Sequence, residues 1–512
     1  MKEMKNKEEK KFEGKEKFFW ADEVAEQIIK EKGKKKEYVC AAGITPSGIV
    51  HIGNFREVIT TDLVVRALRE KGKKVRFIYS WDDYDRFRKI PADLPDAKKY
   101  EQYLGLPLSE VPSPFNDKKN YAGHFEDEAE KALKETGISP EFIRQNEMNK
   151  KCKYASLIKT ALEKNNEIKR ILNKYREEPL GKDWLPLELY STKTGKDDTE
   201  ILDVKGYNIA YKDSTGFKET FDFRKKGAVK LKWRVDWPAR WFYEKVDFEP
   251  GGIDHSVEGG SYTTAKEIVK KVFGFEPPVY QFYDWVQIKG GINMHSSLGN
   301  AIKISAVSEI YEPEILRYFF VSSRPNKGLQ ISFDNDVIKL YDEYDDLENR
   351  YYEKLVDLRE RRIYELSQTG KIPKQKPNRT SFRHLATLIQ TGKTEELNAE
   401  SKKRAEKVKN WLDKYADGDM KFTVREKVEI KLDKKQKEAL IALRKILETK
   451  EINEDELTAE IFSICKAVDI GNKEFFEGAY GAIIGETRGP RLASLILSMG
   501  KKKIIKLLGQ IK

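Results

Sequence analysis

Cysteine is scarce in this chain: Cys40, Cys152 and Cys465 are the only three in 512 residues. They are scattered and have no CxxC spacing, which excludes a disulfide framework and a cysteine zinc site. No apolar run approaches the ~18 residues that span a bilayer, and the opening stretch "MKEMKNKEEKKFEGKEK" lacks the apolar core of a secretion signal. A cytoplasmic protein is the expectation. Neither the Walker pattern GxxxxGK[ST] nor GxGxxG occurs, no internal repeat is evident, and no oxygen-rich cage for a dedicated structural metal can be read from the spacing. What is plentiful is charge, at 36% of residues, with a formal net charge of +12. That balance suits a polyanionic partner, although many of these lysines belong to an ordinary solvated surface. A chain of this length exceeds what one core organises, so several domains are expected.

The run "KEYVCAAGI" has β-formers ending in small residues, "REVITTDLVVRALREKG" carries Ile59, Leu63 and Ala67 at helical spacing, and "KKVRFIYSW" reads as a second strand. This β-turn-α-β unit builds a parallel sheet, whose ligands bind beyond the carboxyl ends of the strands. From Pro91 to about Glu219 the pattern becomes irregular and Pro-rich, with helices such as 124–136 and 154–174, and reads as an insertion between two halves of the sheet. Sheet-like and loop segments resume with "LKWRVDWPARWFY", "FEPGGIDHSVEGGSY" and "YDWVQIKGGINMHSSLGN". Farther on, Leu340, Tyr344, Leu347, Tyr351 and Leu355 mark one face of a long helix beginning near Asp334. "TGKIPKQKPNR" is a linker, and the remainder is helical, with Asn453 and Glu456 placed as a capping box.

"GITPSGIVHIGNF" (43–55) falls at the strand-to-helix junction, where the two motifs "GITPSGIVHIGNF" and "SWDDYDRFRK" should face one pocket. Glycines there let main-chain N–H groups approach phosphate, the helix N-terminus adds a positive dipole end, and a histidine can donate to phosphoryl oxygens. An ammonium ligand would want a carboxylate and aromatic walls. Asp82, Asp83 and Asp85 supply the first; Trp233, Trp237, Tyr283 and Trp285 are candidates for the second, with Trp237 and Trp241 better explained as core. Strand alternation points Asp83 and Asp85 to one face and Asp82 to the other.

"HIGN" resembles the HIGH signature of class I aminoacyl-tRNA synthetases. Together with "SWDDYDRFRK", "WRVDWPARW", "GGIDHSVEGGSY", "EILRYFFVSSRPNKGLQISFD" and "IIGETRGPRLASLI", it makes the chain from about Trp20 onward closely similar to the class I lysyl-tRNA synthetases of archaea and some bacteria. The resemblance implies an α/β fold. A Rossmann-type catalytic domain (21–90 and 220–292) follows a basic extension (1–20), carries a connective insertion (91–219), and is succeeded by a signature loop and stem-contact fold (293–357) and a C-terminal helical cage for the anticodon (358–512). It implies ATP with Mg²⁺, L-lysine and lysine-accepting tRNA as ligands of a monomer. Lysyl-adenylate forms first, in the presence of bound tRNA, and the lysyl group then moves to a terminal 2′-hydroxyl.

By the same resemblance, His51 donates to the α-phosphate with Asn54 in the place of a second histidine, while Gly53 lets ATP approach the backbone. Gly252 and Asp254 hold the ribose, and Gly43, Thr45, Trp233, His255 and Tyr283 surround the amino acid, with Asp83 and Asp85 as the acidic candidates. Ser296 and Ser297 belong to the mobile signature loop, beside the nucleotide contact Met294. That loop departs from the family pattern. It reads "NMHSSLGN", with Asn293 where the first lysine is usual and His295 for a serine. Lys289 or Lys303 could compensate from either side, and a noncatalytic or impaired tRNA-binding paralogue is the alternative reading. A ligase for another amino acid fits the acidic pocket less well.

Overall fold

The computed structural model describes residues 19–294 and 301–511, apart from positions 93, 116, 118, 418 and 419. Two compact units emerge: one gathers the residues up to Ser308 with Leu316–Ile331 and Val356–Ile372, the other Glu309–Ile315, Ser332–Leu355 and the chain from Pro373.

The first unit opens with helix α1 (Trp20–Lys32), strand β1 (Tyr38–Ile44), helix α2 (Ile52–Glu70) and strand β2 (Val75–Trp81). β1 and β2 pair in parallel, in a register that sets Gly43 against Ser80 and Ile44 against Trp81. A Cβ on Gly43 would lie 2.7 Å from the Ser80 carbonyl oxygen, so glycine is what allows β1 to run flush with β2 at its carboxyl end. Helix α3 (Tyr121–Glu135) then leads to β3 (Glu141–Arg144), which pairs in parallel with β2. This corrects the reading of 91–219 as one insertion, because a strand of the main sheet lies inside it. "EFIR" is four residues long and only Ile143 is buried, too short a run for alternation to register.

The inserted body follows β3. It comprises α4 (Ala155–Glu163), α5 (Asn165–Asn173), β4 (Leu187–Leu189), the antiparallel meander β5 (Thr199–Lys205), β6 (Asn208–Asp213) and β7 (Lys218–Asp222), and β8 (Val229–Leu231) paired with β4. The expected helix 154–174 is therefore two, broken at Lys164 before the weak helix formers Asn165 and Asn166. Ile158, Ile168, Tyr211 and Leu231 belong to one core shared by these elements.

Helix α6 (Trp233–Glu244), strand β9 (Phe248–Gly252), helix α7 (Ser261–Lys271) and strand β10 (Val279–Tyr283) complete the sheet in the order β10-β9-β1-β2-β3, with every neighbouring pair parallel. "WRVDWPARWFY", placed among the sheet-like and loop segments, is a helix. Trp233, Trp237 and Trp241 recur every fourth residue, so they form one helical face, and Trp237 and Trp241 pack with Ala265 and Val269 against Val39, Ala41 and Ile78 of the sheet. A small second sheet contains β11 (Val286–Ile288), β12 (Ile292–Asn293) and β13 (Leu329–Ile331).

The second unit is mainly helical. Helix α8 (Asp336–Tyr352) starts two residues after the expected point and buries Tyr341, Tyr344 and Leu347, while Leu355 lies beyond its end and is 66% exposed. Helices α9 (Phe382–Gln390), α10 (Ala399–Lys414), α11 (Lys434–Thr449), α12 (Glu454–Val468), α13 (Asn472–Ile483), α14 (Leu492–Met499) and α15 (Lys501–Leu508) follow. α12 opens with the reciprocal capping box: Glu456 N–H donates to Asn453 Oδ1 at 2.9 Å, and Asn453 N–H to Glu456 Oε2 at 3.0 Å. The helix Leu358–Ser367, read as the start of this module, sits with the first unit.

Candidate active site

His51 is the N-cap of α2. The Gly53 amide donates to His51 Nδ1 at 3.1 Å, and the His51 amide donates to Asn54 Oδ1 at 3.0 Å, so the signature motif is itself a capping box. Two chemical consequences follow. With Nδ1 accepting, the proton of the neutral ring resides on Nε2, and with Oδ1 accepting, Asn54 presents its NH₂ as a donor. A Cβ on Gly53 would stand 2.8 Å from both His51 Cε1 and Nδ1, so glycine here serves to seat the imidazole.

His51 and Asn54 line a cavity of about 130 Å³ at the carboxyl edge of the sheet, together with Asp254, Tyr283, Trp285 and Met294. Gly252 also lines it. A Cβ there would meet the Tyr283 ring at an ordinary 3.6 Å, so the fold itself tolerates a side chain that a ligand lying against β9 would not. Asp254 is exposed, and His255 is half-buried beside the rings of Trp233 and Trp237 at 6.4 and 5.8 Å. Burial lowers the affinity of His255 for a proton despite the neighbouring Asp254. Ser296 and Ser297, with His295, lie outside the described residues.

Away from the nucleotide-like end, the charged groups do not stand as alternation suggested. β2 stops at Trp81 and the acidic run is a turn, so the period of two does not carry through it. Asp82 accepts from Arg240 at 2.6 Å and is buried; Asp83 accepts from the Asn146 amide at 2.7 Å; Asp85 accepts from Thr45 Oγ1 at 3.2 Å and pairs with the buried Lys230. Burial pushes Asp83 up to about 7, whereas for Asp85 the Lys230 ammonium more than reverses the same effect and holds it below the usual range. Asp83 and Asp85 thus have partners on different segments, and each is already engaged.

A carboxyl joined to the cavity wall is Glu57, in the second turn of α2. Its Oε1 accepts from the Gly43 amide at 2.8 Å and its Oε2 from the Tyr283 hydroxyl at 2.7 Å. Burial pushes its pKa up to about 8 against both hydrogen bonds. Behind it, Glu249 accepts from the indoles of Trp237 at 3.0 Å and Trp241 at 2.5 Å and is raised to about 7 by burial. Trp237 and Trp241 are core, as expected.

Residues 18–370 match the model of a family described as tRNA synthetases class I (K), and residues 383–511 match one described as an anticodon binding domain. The chain belongs to this family of class I tRNA synthetases. Among its relatives, a protein named lysine–tRNA ligase from Treponema pallidum is 40% identical over 96% of this chain and 98% of its own. Those of the same name from Borrelia garinii subsp. bavariensis and Thermococcus kodakarensis are 42% and 41% identical, over 96% and 95% of this chain and 99% and 98% of theirs. A glutamate tRNA ligase structure from Elizabethkingia meningosepticum aligns with a TM-score of 0.41 at 14% identity, covering 93% of this chain and 100% of that one.

In this synthetase the groups that sequence reasoning missed are Glu57, Glu249, Arg240 and Lys230. Glu57 left a weak signal: it is a carboxyl among Phe55, Val58 and Ile59 in a helix that is largely buried. The others left none, since their meaning depends on contacts 158 residues apart in the case of Arg240 and Asp82. Among the described residues no group of three or more His, Cys, Asp or Glu side chains could hold a metal ion, and no helix is long and apolar enough to cross a membrane.

Proposed function

We propose that the protein is a lysine–tRNA ligase that activates lysine with MgATP and passes it to the terminal 2′-hydroxyl of tRNA. One arrangement carries the reading: neutral donors, His51 Nε2 and the Asn54 amide, stand at a helix N-terminus on one side of a cavity, and Asp254, able to accept from ribose hydroxyls, stands on another. Attack of a carboxylate on the α-phosphate needs positioning and charge stabilisation more than covalent chemistry, and these groups supply both. Gly252 gives the sugar room. Glu57, joined to the wall by Tyr283, is the partner for the lysine ammonium, with Trp233 and His255 beside it and Thr45 held by Asp85. On lysine binding its proton leaves and a buried ion pair forms. The second unit receives the anticodon, Mg²⁺ arrives with the nucleotide, and the cytoplasm, where tRNA is charged, is the place of action.

A noncatalytic tRNA-binding role has one observation in its favour: among the described residues lining the cavity there is no lysine or arginine. Charging assays separate the two. Incorporation of radiolabelled lysine into lysine-accepting tRNA that requires ATP and Mg²⁺ and is absent with other amino acids supports the ligase; tight tRNA binding without lysyl-adenylate or charging overturns it.

A further inference from the structure

The cavity poses an electrostatic problem. Its described lining contains Asp254 and Asp284 but no cation of its own, yet a nucleoside triphosphate carries several negative charges and gathers more on the departing pyrophosphate. Arg56, nearby on α2, is buried and anchored through Nη2 to three carbonyls, those of Arg324, Pro325 and Lys327, and it does not line the cavity. Lys303 is placed differently. It forms an isolated antiparallel bridge with His51, reinforced by the hydrogen bond from Ile52 N–H to the Ile302 carbonyl at 3.0 Å. Residues directly opposed in an antiparallel pair project their side chains to the same side, so the Lys303 side chain leaves the backbone on the side of the imidazole that lines the cavity.

There it meets Glu128 of α3, at 3.1 and 3.2 Å, and Ser305 Oγ donates to the same carboxyl at 3.1 Å. Both side chains are about one-third exposed, so the pair is weak in water and yields readily to a more highly charged partner. We propose that Lys303 is a catalytic residue of adenylate formation: it exchanges Glu128 for the β- and γ-phosphates, and Glu128 is only the counterion it leaves behind. The inference rests on the ligase reading above. In the step it serves, a lysine carboxylate oxygen forms a bond to the α-phosphorus and the bond from that phosphorus to the bridging oxygen breaks. The electron pair departs on pyrophosphate, and Lys303 remains protonated throughout, contributing charge and no proton.

The test uses the full-length protein with MgATP, lysine and lysine-accepting tRNA, and measures single-turnover adenylate formation and, separately, transfer from preformed lysyl-adenylate to tRNA. Lys303→Met is expected to slow adenylate formation at saturating ATP by about 10²-fold, the scale for losing one donor to developing charge. Transfer, in which no pyrophosphate leaves, should stay within about threefold, and Lys303→Arg should recover part of the loss. Glu128→Gln should keep adenylate formation at or above the parent rate, since it frees the ammonium. If Lys303→Met leaves adenylate formation unchanged, or if Glu128→Gln falls with it to the same extent, the pair is structural and the proposal is overturned. Loss of both half-reactions in Lys303→Met overturns it as well. Failure of the parent protein to form adenylate at all is a different result and counts against the ligase reading instead.

Discussion

The two ends of the cleft are built on opposite principles. At the N-terminus of α2, the side proposed for the α-phosphate, the groups are neutral, close in sequence and held by the backbone: His51, Gly53 and Asn54 complete one capping box within four residues. At the end proposed for the amino acid they are ionisable, buried and drawn from distant segments: Glu57 with Gly43 and Tyr283, Asp85 with Lys230, Asp82 with Arg240, and Glu249 with two indoles. The difference teaches where each kind of specificity comes from. A phosphate can be met by N–H groups that a helix N-terminus leaves unpaired in any case. An ammonium must be met by a desolvated carboxyl, and a desolvated carboxyl demands that every other charge nearby be neutralised by a partner.

Breaking the charged end should therefore do most damage to the fold. Arg240→Met leaves buried Asp82 without its guanidinium, a change that typically costs ~3–5 kcal/mol, and the expected outcome is a large loss of stability of the first unit in urea or thermal melts. Breaking the neutral end should damage only the chemistry. His51→Ala is expected to lower turnover ~10²–10³-fold with little change in the KM for ATP and no comparable loss of stability, because an Nε2 donor is used chiefly as charge develops. An unaltered turnover would remove His51 from the reaction.

The same contrast explains what could be read from the sequence. β1, α2, β2 and the His51 junction were legible because each is a contiguous stretch whose spacing carries its own meaning. The capping box of α12 was legible for that reason too. β3 was not, being four residues with one buried side chain, and α6 was placed among sheet-like and loop segments because the every-fourth spacing of its three tryptophans was not given weight. Asp83 and Asp85 were the natural acidic candidates, but whether a carboxylate faces a ligand or a lysine depends on segments that arrive some 60 to 145 residues later, Asn146 and Lys230 among them. Sequence spacing has no access to that.

A smaller effect separates Glu57 from those aspartates. Glu57→Gln keeps shape and one acceptor but cannot become an anion, so kcat/KM for lysine should fall by about 10–10²-fold, mostly through KM, with adenylate chemistry on bound lysine little altered. Asp83→Asn, by contrast, touches a group that accepts from the Asn146 amide, and should leave lysine selection intact. If the two variants behave alike, Glu57 is not the ammonium partner.

The smallest expected effect is a pH dependence, and its sign is fixed by the position of Glu57. Burial holds this carboxyl's pKa up to about 8 in the free protein, so near neutrality it is mostly protonated. A lysine ammonium pairs with the carboxylate, so binding between about pH 6 and 8 must expel the proton, and affinity should rise with pH by at most about tenfold per unit before levelling off above 8. Calorimetry at pH 7 in buffers of different ionisation enthalpy should register close to one proton released per lysine, and Glu57→Gln should abolish that release and flatten the profile. Stability moves the other way. The folded state retains this proton up to about 8, whereas the unfolded chain retains it only to about 4.3, so this group's contribution is full at low pH and is lost as pH rises through that window, a loss the Gln variant should not share. Lysine affinity that is flat from pH 6 to 8 in the parent protein would mean that the ammonium meets a carboxylate already ionised, and the ends of the cleft would then differ less than their geometry indicates.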